Sequence, residues 1–324
     1  MKAIIKDRYG SPDVLRLAEV DKPELSSDDA ILVRVHATSL NAHDWHMLRG
    51  KPYLARLSEG LRAPKERQLG LDVAGVAEAI GPKVVDVTPG DAVYGSRYGA
   101  FAEYVSSRNM VPMPAGLTFE EAAAVPTAGM TALQGLRDKG SLEAGERVLV
   151  NGAGGGVGTF AVQVARALGG EVTAVTSGKN VEMVRSIGAD EVLDYTREDF
   201  TRMGNRYDLI LDIGGNLRLS AMRRVLTPNG RIVMVAPQPG QWIGPIARVA
   251  GALITTRLGR RPAAAYLAGV NREDLLTLKG LIETGKVRPV IDRTYRFEEI
   301  PEGIRYLESG AAAGKVVVTV QPAA

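Results

Sequence analysis

Residues 146–169 read ERVLVNGAGGGVGTFAVQVARALG. Arg147, Val148, Leu149 and Val150 form a short β-branched, apolar run, the mark of a buried parallel strand. Asn151-Gly-Ala-Gly-Gly-Gly-Val-Gly158 follows. Phe160, Val164 and Leu168 then recur at helical spacing, which predicts a helix over about 157–168 that Gly169-Gly170 ends. Strand, glycine turn and helix form the context in which a glycine pattern carries meaning. The fingerprint aligns as Ala153-x-Gly155-x-x-Gly158. Small residues let the backbone turn sharply and approach a pyrophosphate. The first helical turn, with Gly156 and Val157, offers free N–H groups and a positive dipole end to the anion. The alternative is a glycine-rich loop without a ligand, and the flanking strand and helix weigh against it.

The rest of the chain agrees with an α/β reading. It has 324 residues, enough for two domains, and is 45% hydrophobic with 37 glycines and 5% aromatics. There is no cysteine, hence no disulfide framework and no thiolate metal site. MKAIIKDRYG at the N-terminus reads as a strand and not as a signal peptide, and no apolar run reaches membrane-spanning length. These features point to the cytoplasm. Net charge is +3, from Lys+Arg 40 against Asp+Glu 37, and it is spread out, so a basic nucleic-acid face is not indicated.

Residues 1–117 are cut into short alternating segments by glycine and proline. Residues 2–6 and 30–35 predict strands. In GLDVAGVAEAIGPKVVDVTPGDAVYG, residues 70–95, Val73, Val76, Val84, Val85, Val87 and Val93 are expected to supply strands. Gly75, Gly81, Pro82, Pro89 and Gly90 supply bends, and the whole predicts a β-rich, barrel-like domain. At Thr118 the texture changes. Thr118-Phe-Glu-Glu121 is a capping box, Pro126 is expected to interrupt the helix it starts, and residues 131–136 to resume it. Strands at 147–150, 171–175, 191–194, 209–212 and 231–235 then alternate with helices at 157–168, 179–187 and 217–226, which predicts a doubly wound parallel sheet. Residues 288–324 return to strands and are expected to rejoin the first domain, leaving 118–287 as the nucleotide-binding domain. The apolar stretch WIGPIARVAGALITTRL, residues 242–258, is expected to pack on its own protein or on a second subunit more than on a membrane surface.

Gly70-x-Asp72-x-x-Gly75, Gly81 and Gly90-Asp91-x-Val93, followed by the Ala153/Gly155/Gly158 turn, resemble the medium-chain dehydrogenase/reductase superfamily along the whole chain. The resemblance implies a discontinuous GroES-like β-barrel catalytic domain, a Rossmann domain, and a nicotinamide cofactor. Zinc-dependent members of that superfamily hold a catalytic zinc. Here Asn41 stands where the first zinc ligand would be, and Gly70-Leu71-Asp72 stands for the Gly-His-Glu ligand motif. Both losses resemble the zinc-free quinone oxidoreductase branch, as do residues 180–190, Asp194-Tyr195 and Gly314-Lys-Val-Val317. No metal is expected. His36, His43 and His46 fall close together beside Asp44, yet a zinc site needs three or four converging ligands and nothing supplies the others.

The resemblance also implies roles. Asn41 would orient the substrate carbonyl, with Asp44 orienting Asn41 or capping the following helix. His46 stands where that branch often carries a tyrosine, so it would line the active site. Tyr53 and Tyr98 would stack on a flat substrate or donate a proton, the ordinary reading being surface tyrosines. Thr127 and Thr131 would contact the nicotinamide end or bond locally within a helix. Gly214 and Val235 follow strands whose carboxyl ends bind ligands in such sheets. Gly314 and Lys315 belong to the cofactor set, with Lys315 reaching a phosphate or simply solvated. The second strand ends Val175-Thr-Ser-Gly-Lys179, without an acid, so Ser177 and Lys179 favour the 2′-phosphate of NADPH, with Tyr195 packing on the adenosine side.

The expected activity is NADPH-dependent hydride transfer to a quinone or an α,β-unsaturated carbonyl by a homodimer. The alternatives are a zinc-free alcohol dehydrogenase, an enoyl-thioester reductase, or a weakly active NADPH-binding structural or RNA-binding protein. The last predicts a basic stripe, which the spread charge does not provide.

Overall fold

The computed structural model describes residues 1–51, 53, 56–235 and 263–320. The apolar stretch 242–258 lies outside the described residues. The chain divides into two compact units, the first made of Met1–Ala128, Val270–Glu283 and Pro289–Ala324, the second of Gly129–Gly269 and Thr284–Arg288. The boundary expected at 117/118 is therefore displaced. Helix Phe119–Ala123 buries Ala122 and Ala123 against the strands of the first unit and belongs there. Its capping box is present, with Thr118 Oγ1 accepting from the Glu121 N–H at 3.2 Å and Glu121 Oε2 accepting from the Thr118 N–H at 3.0 Å. Helix Arg272–Glu283 also belongs to the first unit, where the Tyr94 hydroxyl donates to the Leu275 carbonyl at 2.6 Å.

The first unit opens with β1 (Lys2–Lys6) and β2 (Leu15–Glu19), an antiparallel pair. Then come β3 (Ile31–Leu40), β4 (Asp72–Ile80), β5 (Ala92–Ser96), β6 (Tyr104–Ser107) and β7 (Met110–Pro112). Val73, Val76 and Val93 lie in strands. Val84, Val85 and Val87 do not, because the chain turns at Gly81, where a Cβ would sit 2.2 Å from the Asp28 carbonyl oxygen. Val85 is 93% exposed in that connection. The helix that Thr118 starts ends at Ala123, as expected, but the second begins on Pro126 itself and not at residue 131, as Pro126–Leu133, since a first-turn residue needs no N–H partner. The helix continues as a π-helical turn, Gln134–Lys139. Gly135 lies within that turn, and any Cβ on it would meet the Tyr266 hydroxyl at 2.4 Å.

The second unit carries β8 (Arg147–Asn151), β9 (Glu171–Thr176), β10 (Glu191–Asp194), β11 (Tyr207–Asp212), β12 (Leu226–Val235) and β13 (Ala263–Tyr266). All pair in parallel in the order β10-β9-β8-β11-β12-β13. Helices Gly156–Ala167, Val181–Ser186 and Leu219–Arg224 make the crossovers. This is the expected doubly wound parallel sheet, and its order reverses between β8 and β11. β14 (Ile291–Arg296) and β15 (Lys315–Thr319) return to the first unit and complete the sheet β14-β15-β3-β4-β5-β7, with β6 on β3. Val33, Val73, Val93, Val316 and Val318 fill the core of that GroES-like unit. No helix among the described residues is long and apolar enough to cross a membrane.

Candidate cofactor and active site

In the second unit the glycine turn leaves β8 at the point where the sheet order reverses. Gly152 turns the backbone with φ +91°, and Gly158 has no room for a side chain: a Cβ would lie 2.2 Å from the Gly152 carbonyl oxygen and 2.6 Å from the Ala153 Cα. Gly155 is the opposite case. It is the N-cap of helix Gly156–Ala167, and a Cβ there would meet only the Gly152 oxygen, at 3.8 Å. Gly158 is thus fixed by internal packing, whereas Gly155 keeps space open over a helix N-terminus whose first turn, Gly156 and Val157 included, carries no acid. A pyrophosphate fits such an opening.

The strand ends beside the turn are tied together. Asn151 Nδ2 donates to Asp212 Oδ1 at 2.7 Å and to Asn216 Oδ1 at 3.0 Å, and the Gly215 N–H donates to Asp212 Oδ1 at 3.1 Å. The Gly214 N–H donates to the Asn151 carbonyl at 3.1 Å, so Gly214 lies at the mouth formed by β8 and β11, and Val235 ends β12 on the same edge of the sheet. Asn151 and Asp212 escaped the sequence reading; their signal was a polar residue closing each of two apolar strands. Ser177 and the exposed Lys179 follow β9, and Tyr195, 54% exposed, follows β10. An acid also stands there: Asp194 accepts from the Thr196 N–H and hydroxyl at 3.0 and 2.7 Å, and a Cβ on Gly178 would meet its Oδ2 at 2.6 Å. The Thr196 hydroxyl and N–H, with Arg197 beside them, hold the Asp194 carboxyl below its ordinary range.

In the first unit the candidate residues converge on Asp72, which enters the sequence analysis only within family motifs and with no role of its own. Asp72 is 0% exposed at the start of β4. Its Oδ2 accepts from the Ser39 hydroxyl at 2.6 Å and Asn41 Nδ2 at 2.9 Å; its Oδ1 accepts from the Thr127 N–H at 2.9 Å and the Thr127 hydroxyl at 2.5 Å. Lys315 is neither solvated nor turned to a phosphate. It is 3% exposed, and its ammonium donates to Asn41 Oδ1 at 2.7 Å and the Leu40 carbonyl at 3.3 Å, with Asp72 Oδ2 at 3.4 Å. Burial lowers its pKa, against the opposing charges of Asp72 and Asp44. Gly314, with φ +108°, is a backbone requirement, since a Cβ would meet the Val290 carbonyl oxygen at 2.5 Å. Thr131 lies on the far side of the unit division, where its carbonyl accepts from the Tyr266 hydroxyl.

Asn41 caps helix Ala42–Arg49, and Asp44 Oδ2 accepts its N–H at 2.7 Å, so Asp44 has the capping role. Asp44 also accepts from the Gly70 N–H at 3.2 Å, and burial raises its pKa to about 7. His46 stacks on Trp45 at 3.6 Å; burial lowers its pKa to about 4, so it is neutral at pH 7. His43 meets the Tyr98 ring edge-on at 6.1 Å, and His36 stacks on Phe119 at 4.5 Å. Burial raises the pKa of the Tyr98 phenol. Tyr53 lies under the Arg56 guanidinium at 4.8 Å.

A zinc ion does not fit this cluster. Among the described residues no group of three or more histidine, aspartate or glutamate side chains converges, the Leu71 side chain offers no donor atom, and the ammonium of Lys315 lies among the available oxygens.

Residues 27–135 match the alcohol dehydrogenase GroES-like domain, and residues 187–318 match the zinc-binding dehydrogenase family. The chain is 33% identical to the mouse mitochondrial NAD(P)H oxidoreductase RTN4IP1 over 99% of its length and 89% of that protein. It is 32% identical to the tomato 2-methylene-furan-3-one reductase over 98% of its length and 79% of that protein. Among solved structures, the quinone oxidoreductase from Coxiella burnetii superposes with a TM-score of 0.84 at 32% identity, covering 99% of both chains. The sheet order, the glycine turn and this likeness along nearly the whole chain agree: the protein belongs to the medium-chain dehydrogenase/reductase superfamily.

Proposed function

We propose that this protein transfers hydride from NADPH to a quinone or to the β-carbon of an α,β-unsaturated carbonyl, without a metal. The observation that carries the reading is the Asp72–Asn41 cluster, which holds Lys315 and among the described residues has no set of metal ligands; the open Gly155 over a helix N-terminus in the second unit supports the cofactor. The relatives described as a furanone reductase and a quinone oxidoreductase support the substrate class. NADPH, when bound, supplies the hydride. Gly155, Gly156, Val157 and Gly158 would receive its pyrophosphate, and Ser177 and Lys179 its 2′-phosphate.

Without a Lewis acid an unactivated ketone is a poor acceptor, because the developing alkoxide has little to stabilise it. A conjugated acceptor spreads that charge, so modest hydrogen bonds suffice. Asn41 cannot be the main donor to the substrate oxygen in this arrangement: its oxygen accepts from Lys315, and its nitrogen serves Asp72 and, at 3.4 Å, the Ser39 carbonyl. Asn41 shapes the site, then, while neutral His46, Tyr53, Tyr98 or water meets the substrate oxygen. Asp194 opposes the 2′-phosphate and Lys179 favours it. A charge-assisted contact is worth about 1.5–3 kcal/mol, which leaves NADPH preferred if Asp194 stays occupied with Thr196 and Arg197. A homodimer belongs to the same reading, and light scattering checks it.

The test is stopped-flow oxidation of NADPH deuterated at the transferred position, against quinones, enones, simple ketones and alcohols, repeated with NADH. Quinones and enones should turn over with a primary isotope effect, and faster with NADPH. Turnover confined to alcohols and simple ketones would defeat the substrate reading; equal affinity for both cofactors would defeat the cofactor reading.

A further inference from the structure

An ammonium has three N–H donors, and three oxygens surround that of Lys315: Asn41 Oδ1, the Leu40 carbonyl and Asp72 Oδ2. All three lie in the buried part of the first unit. Replacing a buried ion pair with apolar residues is often neutral or stabilising, so stability alone is a poor reason for such a group. The pair has another consequence. Lysine presents only donors and a carboxylate only acceptors, so the Asn41 carboxamide must turn its oxygen to Lys315 and its nitrogen to Asp72. The flipped amide would oppose N–H to ammonium and oxygen to carboxylate. Asp72, held on Oδ2 from that side, presents Oδ1 to both the N–H and the hydroxyl of Thr127.

We propose that Lys315 is a positioning residue whose ammonium is the built-in cation of this site, fixing the Asn41 carboxamide in one orientation and, through Asp72, Thr127 at the start of helix Pro126–Leu133. The kinetic part rests on the hydride-transfer reading above; the positioning part does not. Burial alone disfavours an ammonium; the Asp72 carboxylate and the three oxygens around Lys315 oppose that and favour the cation.

The experiment uses the full chain in three forms: Lys315→Met, Lys315→Met with Asp72→Asn, and Lys315→Ala with added ethylammonium or propylammonium. The double variant removes both charges and keeps the test readable where Lys315→Met alone fails to fold. The first readout is the ¹⁵N–¹H signal pair of the Asn41 side-chain amide, assigned with Asn41→Asp. One sharp pair is expected in the unmutated protein, and a doubled or broadened pair in the Met variants. The second readout is kinetic. Turnover should fall tenfold to hundredfold with NADPH dissociation constants within twofold, and the alkylammonium should restore turnover to Lys315→Ala in a manner that depends on its length. A purely structural lysine would lower the melting temperature with no amine-dependent turnover. An unchanged Asn41 signal, or turnover of the double variant within twofold of the unmutated protein, overturns the proposal. If the unmutated protein reduces no quinone or enone, the proposed function falls by itself, and the amide signal alone decides the role of Lys315.

Discussion

Gly155 and Gly158 lie three positions apart in one turn and have opposite reasons to be glycine. A methyl on Gly158 would press on the Gly152 oxygen at 2.2 Å, and backbone atoms cannot step aside as a flexible side chain would. Gly158→Ala should therefore lose about 2 kcal/mol or more of stability. Gly155→Ala meets its nearest atom at 3.8 Å and should lose less than about 1 kcal/mol, the usual cost of alanine at an N-cap, while NADPH affinity drops at least about tenfold. Urea unfolding and fluorescence titration of both variants separate the two effects. Two titratable side chains give a second expectation at this scale. His46 has its pKa lowered to about 4 from 6.5, so between those values the unfolded state binds more protons and stability rises with pH. Asp44 has its pKa raised from 3.8 to about 7, so over that window the folded state binds more protons and stability falls as pH rises. The slopes oppose each other, each at most about 1.4 kcal/mol per pH unit and smaller for the partly exposed histidine. Relative to the unmutated protein, His46→Gln should uncover the fall and Asp44→Asn the rise. Urea midpoints from pH 4 to 8 check this, and identical profiles for all three proteins would contradict it.

At the scale of elements, one side chain ties the bases of β8, β11 and β12 together. Arg231 on β12 donates to both carboxylate oxygens of Glu146 at 2.8 and 2.6 Å, and to the carbonyls of Gly140, Ser141 and Asp208. The Gly140 and Ser141 carbonyls follow the π-helical turn, where a helix leaves its last acceptors unpaired. A guanidinium fork serves all of these groups at once and an ammonium cannot. Arg231→Lys should thus lose about 1–2 kcal/mol although the charge is kept. Denaturant unfolding monitors the loss, and a midpoint equal to that of the unmutated protein would show the fork to be dispensable.

For the whole molecule, the expectation concerns metal. The oxygens that remain around Asp72 surround a lysine, so prolonged dialysis against a chelator should leave NADPH-dependent turnover unchanged. Loss of activity that returns with stoichiometric zinc would reverse this.

The sequence by itself determined the parallel sheet and its ligand turn, because strand, glycine fingerprint and helix are local patterns whose residues act on their immediate neighbours. It also determined that cysteine ligation is absent. It misplaced Val84, Val85 and Val87, whose β-branched character is local while the turn that excludes them is bonded to the distant Ala30 and Asp28 carbonyls. It placed the second helix too late, at residue 131 instead of Pro126, since whether proline ends or starts a helix depends on where the preceding helix has already stopped. Only the tertiary structure decided the environment of Lys315. Residues 41, 127 and 315 are remote in sequence from one another and from residue 72, and the fold brings all three to the Asp72 carboxylate. An isolated lysine in sequence reads as a solvated charge; burial and the direction of three oxygens make it the fixed cation of a site.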